Sequence, residues 1–353
     1  MSATTTAEQI APGPLDPMTA PVRSTKGSTV MEPTPRTQRP RIHRAAGALA
    51  APTVVLVLLA AACSSSASHA APATSEQVKV DGRTLHLECT GTGSPTVILQ
   101  SGFGNAGDIW SLSETTAPAV LPALATTNRV CSYDRPGSHL TTTTRDGKVV
   151  PADELQRGRS DAVPMPRDPG DVVTELHDIL AAANVPGPYV MVGHSLGGVL
   201  SVLYARRYPD QVRALVTVDS PVPALRDALT AKQWTVAKTL SADPALVPNY
   251  ELEAYDLGVL FDEIETAKPL PDIPVVVVRR GGFRMYDVPV PEGFPLTQAE
   301  VDGMYKAQWE TQARWVESVP GAEMITVPGT THDVHTQRPD AVVAAIRSAI
   351  AKT

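Results

Sequence analysis

Between Thr96 and Val327 the chain repeats one pattern, a short uninterrupted apolar run followed by a longer stretch in which apolar residues recur every three or four positions. The short runs are Thr96 to Gln100, Val130 to Tyr133, Tyr189 to Val192, Ala214 to Asp219, Pro274 to Val278 and Glu323 to Val327. A strand covered on both faces loses the alternation of apolar and polar residues, so each run predicts a strand of a parallel sheet. The stretches between them predict helices. Asp168-Pro169-Gly170-Asp171 reads as an N-cap, a proline in the first turn and an early acid, leading into Val172, Leu176, Ile179 and Leu180. Thr297 with Glu300 makes a capping box for a helix running to about Ser318, and Pro339 opens a last helix carrying Val342, Val343, Ile346 and Ile350. Ahead of the alternation, Val78-Lys79-Val80 and Thr84 to Cys89 flank the turn dipeptide Asp81-Gly82 and predict an antiparallel hairpin. The pattern describes an α/β chain, a three-layer α/β sandwich whose mostly parallel eight-stranded sheet begins with an antiparallel hairpin.

Two connections are too long for plain loops. Pro136 to Arg167 is polar and rich in Thr and Arg, so it is either mobile or placed over a site. Residues 221–272 carry a helical pattern with Trp234, Leu240, Tyr255, Leu257 and Leu260 between two strands. An insertion of that size at the carboxyl edge of a sheet covers the ligand crevice, and the segment is read as a small helical lid.

The N-terminus follows different rules. Residues 1–35 are rich in Thr, Pro and Ala, and Arg36, Arg39, Arg41 and Arg44 then precede an uncharged stretch from Ala45 to Ala62. A basic segment, an apolar core and small residues at its end describe an export signal rather than a fold element. Met31 offers a second start that would leave a more ordinary basic segment. The sequence therefore divides into a leader over 1–63, a flexible tether over 64–75 and a folded domain over 76–353. With 353 residues, 42% hydrophobic and 19% charged, the chain has apolar material for one large domain. The net charge of −7, with no basic run beyond the leader, excludes a nucleic-acid partner. No metal-ligand cluster or phosphate-cradling loop stands out, so the sequence implies no cofactor.

The stretch that carries chemistry is Gly193-His194-Ser195-Leu196-Gly197-Gly198, set between the strand Tyr189 to Val192 and the apolar segment Val199 to Ala205. A Gly-x-Ser-x-Gly between strand and helix forces a tight turn that exposes the serine beside the positive end of the helix. A serine nucleophile needs a histidine base and an acid to orient it. His43 and His69 fall in the leader and tether, His86 alternates on an early strand, His177 lies on a solvated helix face, and His194 points away from the turn. His332 and His335 lie in the loop after the last strand. The acid candidates in the order Ser, Asp, His are Asp219, which ends a strand at the serine's edge of the sheet, and Asp287 beyond the next strand. Cys89 and Cys131 either pair in an oxidising compartment or stay as buried thiols.

These motifs resemble those of the α/β-hydrolase family from Val78 to the C-terminus: Gln100-Ser101-Gly102-Phe103-Gly104 with Trp110 downstream, Tyr133-Asp134-Arg135-Pro136-Gly137, the Ser195 turn, and Gly329 to Pro339 with His332. Ser138-His139 departs from the family's usual continuation. The resemblance implies that His332, seven residues before Pro339, is the base, since the family's histidine has that spacing. His335 is then a polar loop residue turned toward the lid. It implies that the backbone N–H groups of Phe103 and Leu196 form the oxyanion hole and that a Ser-His-Asp triad cleaves an ester-like bond in a small molecule; many family members carry the acid just after the next strand, which points here to Asp287, whereas Asp219 at its strand end needs no loop excursion to reach the histidine and is the acid favoured. It also makes the second and fourth strands neighbours, which favours a Cys89–Cys131 disulfide. Leu59-Ala60-Ala61-Ala62-Cys63 followed by Ser64-Ser65-Ser66 resembles a bacterial lipoprotein signal, with Ala60 where the usual leucine stands. That resemblance implies lipidation at Cys63 and a place on the outer face of the cytoplasmic membrane, secretion being the alternative. A peptide or amide hydrolase on the same triad, and a non-catalytic binding lipoprotein, are the competing readings.

Overall fold

The structure, a computed structural model, describes residues 74–141, 156–243, 253–287 and 289–353. The leader, Cys63 and nearly all of the tether lie outside the described residues, as do 142–155 of the polar connection and 244–252 of the insertion. The strands are β1 (Thr74–Val80), β2 (Arg83–Thr90), β3 (Val97–Gln100), β4 (Val130–Tyr133), β5 (Tyr189–His194), β6 (Val212–Val218), β7 (Val275–Arg280) and β8 (Glu323–Val327). They form one eight-stranded sheet in the order β1-β2-β4-β3-β5-β6-β7-β8. The β1–β2 and β2–β4 pairs are antiparallel and all others parallel. The helices are α1 (Val120–Leu124), α2 (Pro169–Ala182), α3 (Leu196–Arg207), α4 (Leu225–Ala228), α5 (Ala231–Ala242), α6 (Leu257–Thr266), α7 (Gln298–Ser318), α8 (Val334–Gln337) and α9 (Pro339–Ala351). None of the described helices is long and apolar enough to cross a membrane.

Successive strand residues feed opposite faces, which is why the strands read as unbroken apolar runs. Met191 and Leu215 join a cluster with Leu176, Leu180, Leu200 and Leu203 of α2 and α3, while Val190, Val192, Val216 and Val276 pack with Val120, Leu124, Val342 and Ile346 of α1 and α9. The caps form where the sequence placed them. The Asp168 carboxylate accepts from the Gly170 and Asp171 amides, and Thr297 and Glu300 close a complete capping box.

Two boundaries differ from the sequence reading. β1 begins at Thr74, inside the segment read as tether, because Thr74 to Gln77 pair residue by residue with Cys89 to His86. Backbone pairing to β2 carries this polar, exposed stretch as strand although it has no apolar pattern. The segment 221–272 is not a lid throughout. In α6, Leu257, Leu260, Phe261 and Ile264 make an apolar stripe at i, i+3, i+4 and i+7 that is buried in the same cluster as α2 and α3, so this helix is part of the sheet's covering layer.

Cys89 and Cys131 are directly paired across β2 and β4, and their sulfurs are bonded. At the opposite, carboxyl edge of the sheet the parallel register sets Gln100 beside Gly193, His194 beside Val218, and Val218 beside Val278. The segments that leave β3, β5, β6 and β7 therefore emerge at one place.

Candidate active site

Ser195 is the hinge between β5 and α3, with φ 50° and ψ −120°, a conformation that L-residues rarely adopt. Such strain persists only where the surroundings hold it. Here the Ser195 amide donates to Val218 O at 2.9 Å, and Ser220 Oγ donates to Ser195 O at 2.8 Å, both from the neighbouring strand end. The turn closes only with glycines. A Cβ on Gly193 would strike the Gly197 backbone, and one on Gly197 would strike the backbone of Gln100 and Ser101. Because α3 starts at Leu196, the first amides of that helix have no partner within it and face the turn.

Asp219 follows β6, also at positive φ, and is fully buried. Its Oδ2 lies 2.6 Å from His332 Nδ1, while the Arg280 guanidinium donates through Nη1 to Oδ1 at 2.8 Å and to Oδ2 at 2.7 Å. Gln312 Nε2 approaches Oδ1 at 3.4 Å, and Gln308 Nε2 donates to the Asp219 carbonyl at 3.2 Å. Burial opposes the charge on this carboxylate, but the hydrogen bond and charge of His332 and the charge of Arg280 outweigh it and hold Asp219 below the usual carboxylate range. His332 is buried, and its amide donates to Met285 O at 3.0 Å, which seats the loop after β8 against the loop after β7. Of the two acid candidates, Asp219 is the one in contact with His332. Asp287 is exposed on the loop after β7.

Gly102 abuts the nucleophile, since a Cβ there would lie 3.5 Å from Ser195 Cβ and 2.7 Å from His194 Nδ1. The loop it begins is laced from below. Arg135 donates to Ser101 O at 2.8 Å and Gly102 O at 2.7 Å, Asp134 Oδ1 accepts from the Gly107 amide at 3.0 Å, and His139 accepts from the Ala106 amide and donates to Gly104 O, both at 2.8 Å through its backbone. Ser138-His139, where the sequence departs from the family pattern, is thus a brace for this loop. Among the described residues of the polar connection, Arg159 is fastened to Asp134, with Nε 2.7 Å from Oδ2 and Nη2 2.9 Å from Oδ1.

His335 is not turned toward a lid. It is buried, with its ring 4.1 Å from that of His194 and 4.9 Å from that of Trp110. Trp110, which shares an apolar cluster with Val334 of the short α8, packs beside His335. Burial pushes its pKa down to about 3 and lowers that of His194 as well, so both rings are neutral. His194 Nε2 meets the His332 carbonyl at 3.0 Å and so braces the backbone of the candidate base. His194, Asp333 and His335 bring ligand atoms within 4.8 Å of one another. The two rings are tilted by 35° to one another. Two further described histidines lie away from this site. His86 is buried with Nδ1 3.2 Å from Gln77 Nε2, and His177 stacks on Tyr208 at 4.1 Å instead of standing free in solvent.

Arg280, Gln308 and Gln312 have no place in the sequence reading. The readable signal was an arginine continuing the run Val275 to Val278 to a strand end beside Asp219, since a buried guanidinium demands a carboxylate. The glutamines follow i, i+4 spacing on α7, but nothing in their pattern names their partner.

An uncharacterized protein of Schizosaccharomyces pombe is 31% identical over 181 residues, 45% of this chain and 30% of that protein. The human (lyso)-N-acylphosphatidylethanolamine lipase is 38% identical over 71 residues, 19% of this chain and 20% of the lipase. The chain thus spans less than half the length of these relatives. Among solved structures, a hydrolase from Pseudomonas aeruginosa is similar at 19% identity and a TM-score of 0.45, covering 79% of this chain and 98% of that one. Residues 97–345 match the alpha/beta hydrolase family, and this span takes in every residue of the site just described. The chain belongs to the alpha/beta hydrolase family.

Proposed function

We propose that the protein is a serine hydrolase that cleaves a carboxylic-ester-like bond through an acyl-enzyme. The observation that carries this reading is the 2.6 Å contact between His332 Nδ1 and Asp219 Oδ2, beside a serine held at positive φ on the strand-to-helix turn. With Nδ1–H donated to Asp219, His332 Nε2 is left as an acceptor, the tautomer a general base needs. Ser195 Oγ attacks the carbonyl carbon as Nε2 takes its proton. The oxyanion is met by the N–H groups of Phe103 and Leu196, the tetrahedral intermediate collapses with proton return to the leaving alcohol, and water clears the acyl group by the same steps. The Asp219 carboxylate keeps the imidazole in orientation throughout. The lipase named among the relatives supports acyl chemistry of this class.

The same reading places the protein outside the cytoplasm, tethered through a lipidated Cys63. The Cys89–Cys131 bond supports an oxidising compartment. Metabolic labelling with an alkynyl fatty acid would tag the full chain and spare Cys63→Ser, and equal labelling of both would remove the anchor.

Wild type, Ser195→Ala and His332→Ala compared on p-nitrophenyl esters of graded acyl length, and on matching anilides, test the activity. Ester turnover by wild type alone is the expected result. Faster anilide than ester turnover would move the reading to amide cleavage, and no turnover with normal ligand binding would make the protein a binding lipoprotein.

A further inference from the structure

We propose that Arg135 and Glu253 are positioning residues of the oxyanion hole, a buried ion pair that sets the direction of the Phe103 N–H from a segment far along the chain. The proposal rests on the reading that Ser195 attacks a carbonyl and that Phe103 N–H receives its oxygen.

Arg135 is 1% exposed, and among the described residues the ends of its guanidinium go to two destinations. Nη1 donates to Ser101 O at 2.8 Å and Nη2 to Gly102 O at 2.7 Å. Nε donates to Glu253 Oε1 at 2.9 Å and Nη2 to Glu253 Oε2 at 2.7 Å, a bidentate pairing. The carbonyl of Gly102 and the N–H of Phe103 belong to one trans peptide and point in opposite directions. A guanidinium that grips Gly102 O therefore turns Phe103 N–H away from itself. The same holds for Ser101 O and Gly102 N–H, so two consecutive amides are presented on the side opposite Arg135, and Gly102 is the residue that abuts Ser195. Successive N–H groups turned to one side make an anion-binding concavity.

Glu253 completes the device. Besides the arginine it reaches the loop itself, its Oε2 accepting from the Gly104 amide at 3.0 Å, so carboxylate and guanidinium hold the loop from both ends. Its own amide donates to Gly137 O at 2.9 Å, and two residues on the Tyr255 ring packs edge-on against Phe103 at 5.7 Å. The segment entering α6 thus touches the loop through Glu253 and Tyr255. A buried ion pair returns little net stability, because desolvation offsets its attraction. Here the pair supplies direction to a peptide instead.

The test uses the full chain and a p-nitrophenyl ester, with Glu253→Gln, Arg135→Lys and the apolar pair Arg135→Met/Glu253→Leu. Loss of a whole oxyanion donor costs about 10² to 10³ in kcat, so a misdirected one predicts a fall of about 10- to 100-fold. The expected result is that fall in kcat, with KM within about threefold and a parallel fall in the rate of fluorophosphonate labelling. The apolar pair removes both charges and keeps the volume, so a merely structural pair would leave its kcat near wild type, whereas the positioning role predicts that it stays low in a folded protein. Glu253→Gln is isosteric and guards against the case in which the arginine variants do not fold. Wild-type kcat in Glu253→Gln, or losses in every variant that track only the folded fraction, would overturn the proposal. A wild type that neither turns over ester nor labels would instead overturn the hydrolase reading, and this one with it.

Discussion

Replacing Asp219 by asparagine changes one atom at the most constrained point of the site. The carboxylate now accepts from Arg280 Nη1 on both oxygens, at 2.8 and 2.7 Å, and from His332 Nδ1 at 2.6 Å. Every neighbour of those oxygens is a donor, Gln312 Nε2 included. An amide has one acceptor to offer. Arg280 is always charged and fully buried, so it takes the amide oxygen, and the NH₂ group is left facing His332 Nδ1. The imidazole must then accept at Nδ1 and carry its proton on Nε2, where it cannot receive the proton of Ser195. A triad whose histidine is held in the wrong tautomer loses about 10⁴ in kcat, or roughly 5 kcal/mol of transition-state stabilisation. Asp219→Ala differs in kind. Both variants leave the Arg280 charge buried without its carboxylate, but Asp219→Ala also removes the oxygen to which it donates, which costs about 3 to 5 kcal/mol of stability and lowers Tm on the order of 10 °C. The assay is steady-state ester hydrolysis beside thermal unfolding of both variants. Asp219→Asn should fold and fail to turn over, and Asp219→Ala should fail at both. Asp219→Asn with kcat within tenfold of wild type would refute this reasoning, and Asp287→Ala, predicted to be neutral, would then be the next variant to examine.

Other consequences can be checked on the same protein. Gly193→Ala drives a methyl into the Gly197 backbone, and since neither side of the turn can yield, it should destabilise by about 3 kcal/mol or more in denaturant unfolding, against near-neutral Gly282→Ala, whose Cβ meets nothing within 4 Å. Cys89 and Cys131 are 42 residues apart, so reducing the bond, or replacing both by alanine, should cost about 4 kcal/mol by loop-closure entropy, read as a lower midpoint in denaturant with and without reductant. Asp134 is buried against its charge, but its hydrogen bonds from Arg159 and Gly107 more than compensate and hold it, like Asp219, below the usual carboxylate range. A carboxylate depressed in the folded state adds stability that is complete above its unfolded value near pH 4 and lost as pH falls through the folded value. The unfolding free energy should therefore drop as pH falls below about 4, and Asp134→Asn should show a shallower drop there; an unchanged slope would contradict the assignment.

The parts of this molecule that were legible in the sequence are those written in short range. The runs from Thr96 to Val327, the cap at Asp168, the box at Thr297 and Glu300, and the Gly-x-Ser-x-Gly turn all depend on residues a few positions apart, and periodicity and capping chemistry read that scale directly. The gathering of Ser195, Asp219 and His332 at one edge was legible because each ends or follows a strand, and parallel strands deliver their ends to one edge. Two buried ion pairs across the fold were not legible. Arg280 and Asp219 are 61 positions apart, and Arg135 and Glu253 are 118 apart, so no local pattern names either pair. His335 was misplaced for a related reason, since the loop reading did not reveal the short helix that carries its ring beside His194 and Trp110. The lid reading failed in α6 because an amphipathic stripe tells that a face is buried and not against what.

The central claim is that Ser195 is an activated nucleophile, and the measurement that tests it most directly is labelling of the folded full chain with a fluorophosphonate, with the adduct located by peptide mass spectrometry. The account predicts one adduct, on Ser195, absent from Ser195→Ala and slowed by orders of magnitude in Asp219→Asn. An unlabelled wild type, or an adduct on another residue that persists in Ser195→Ala, would contradict it.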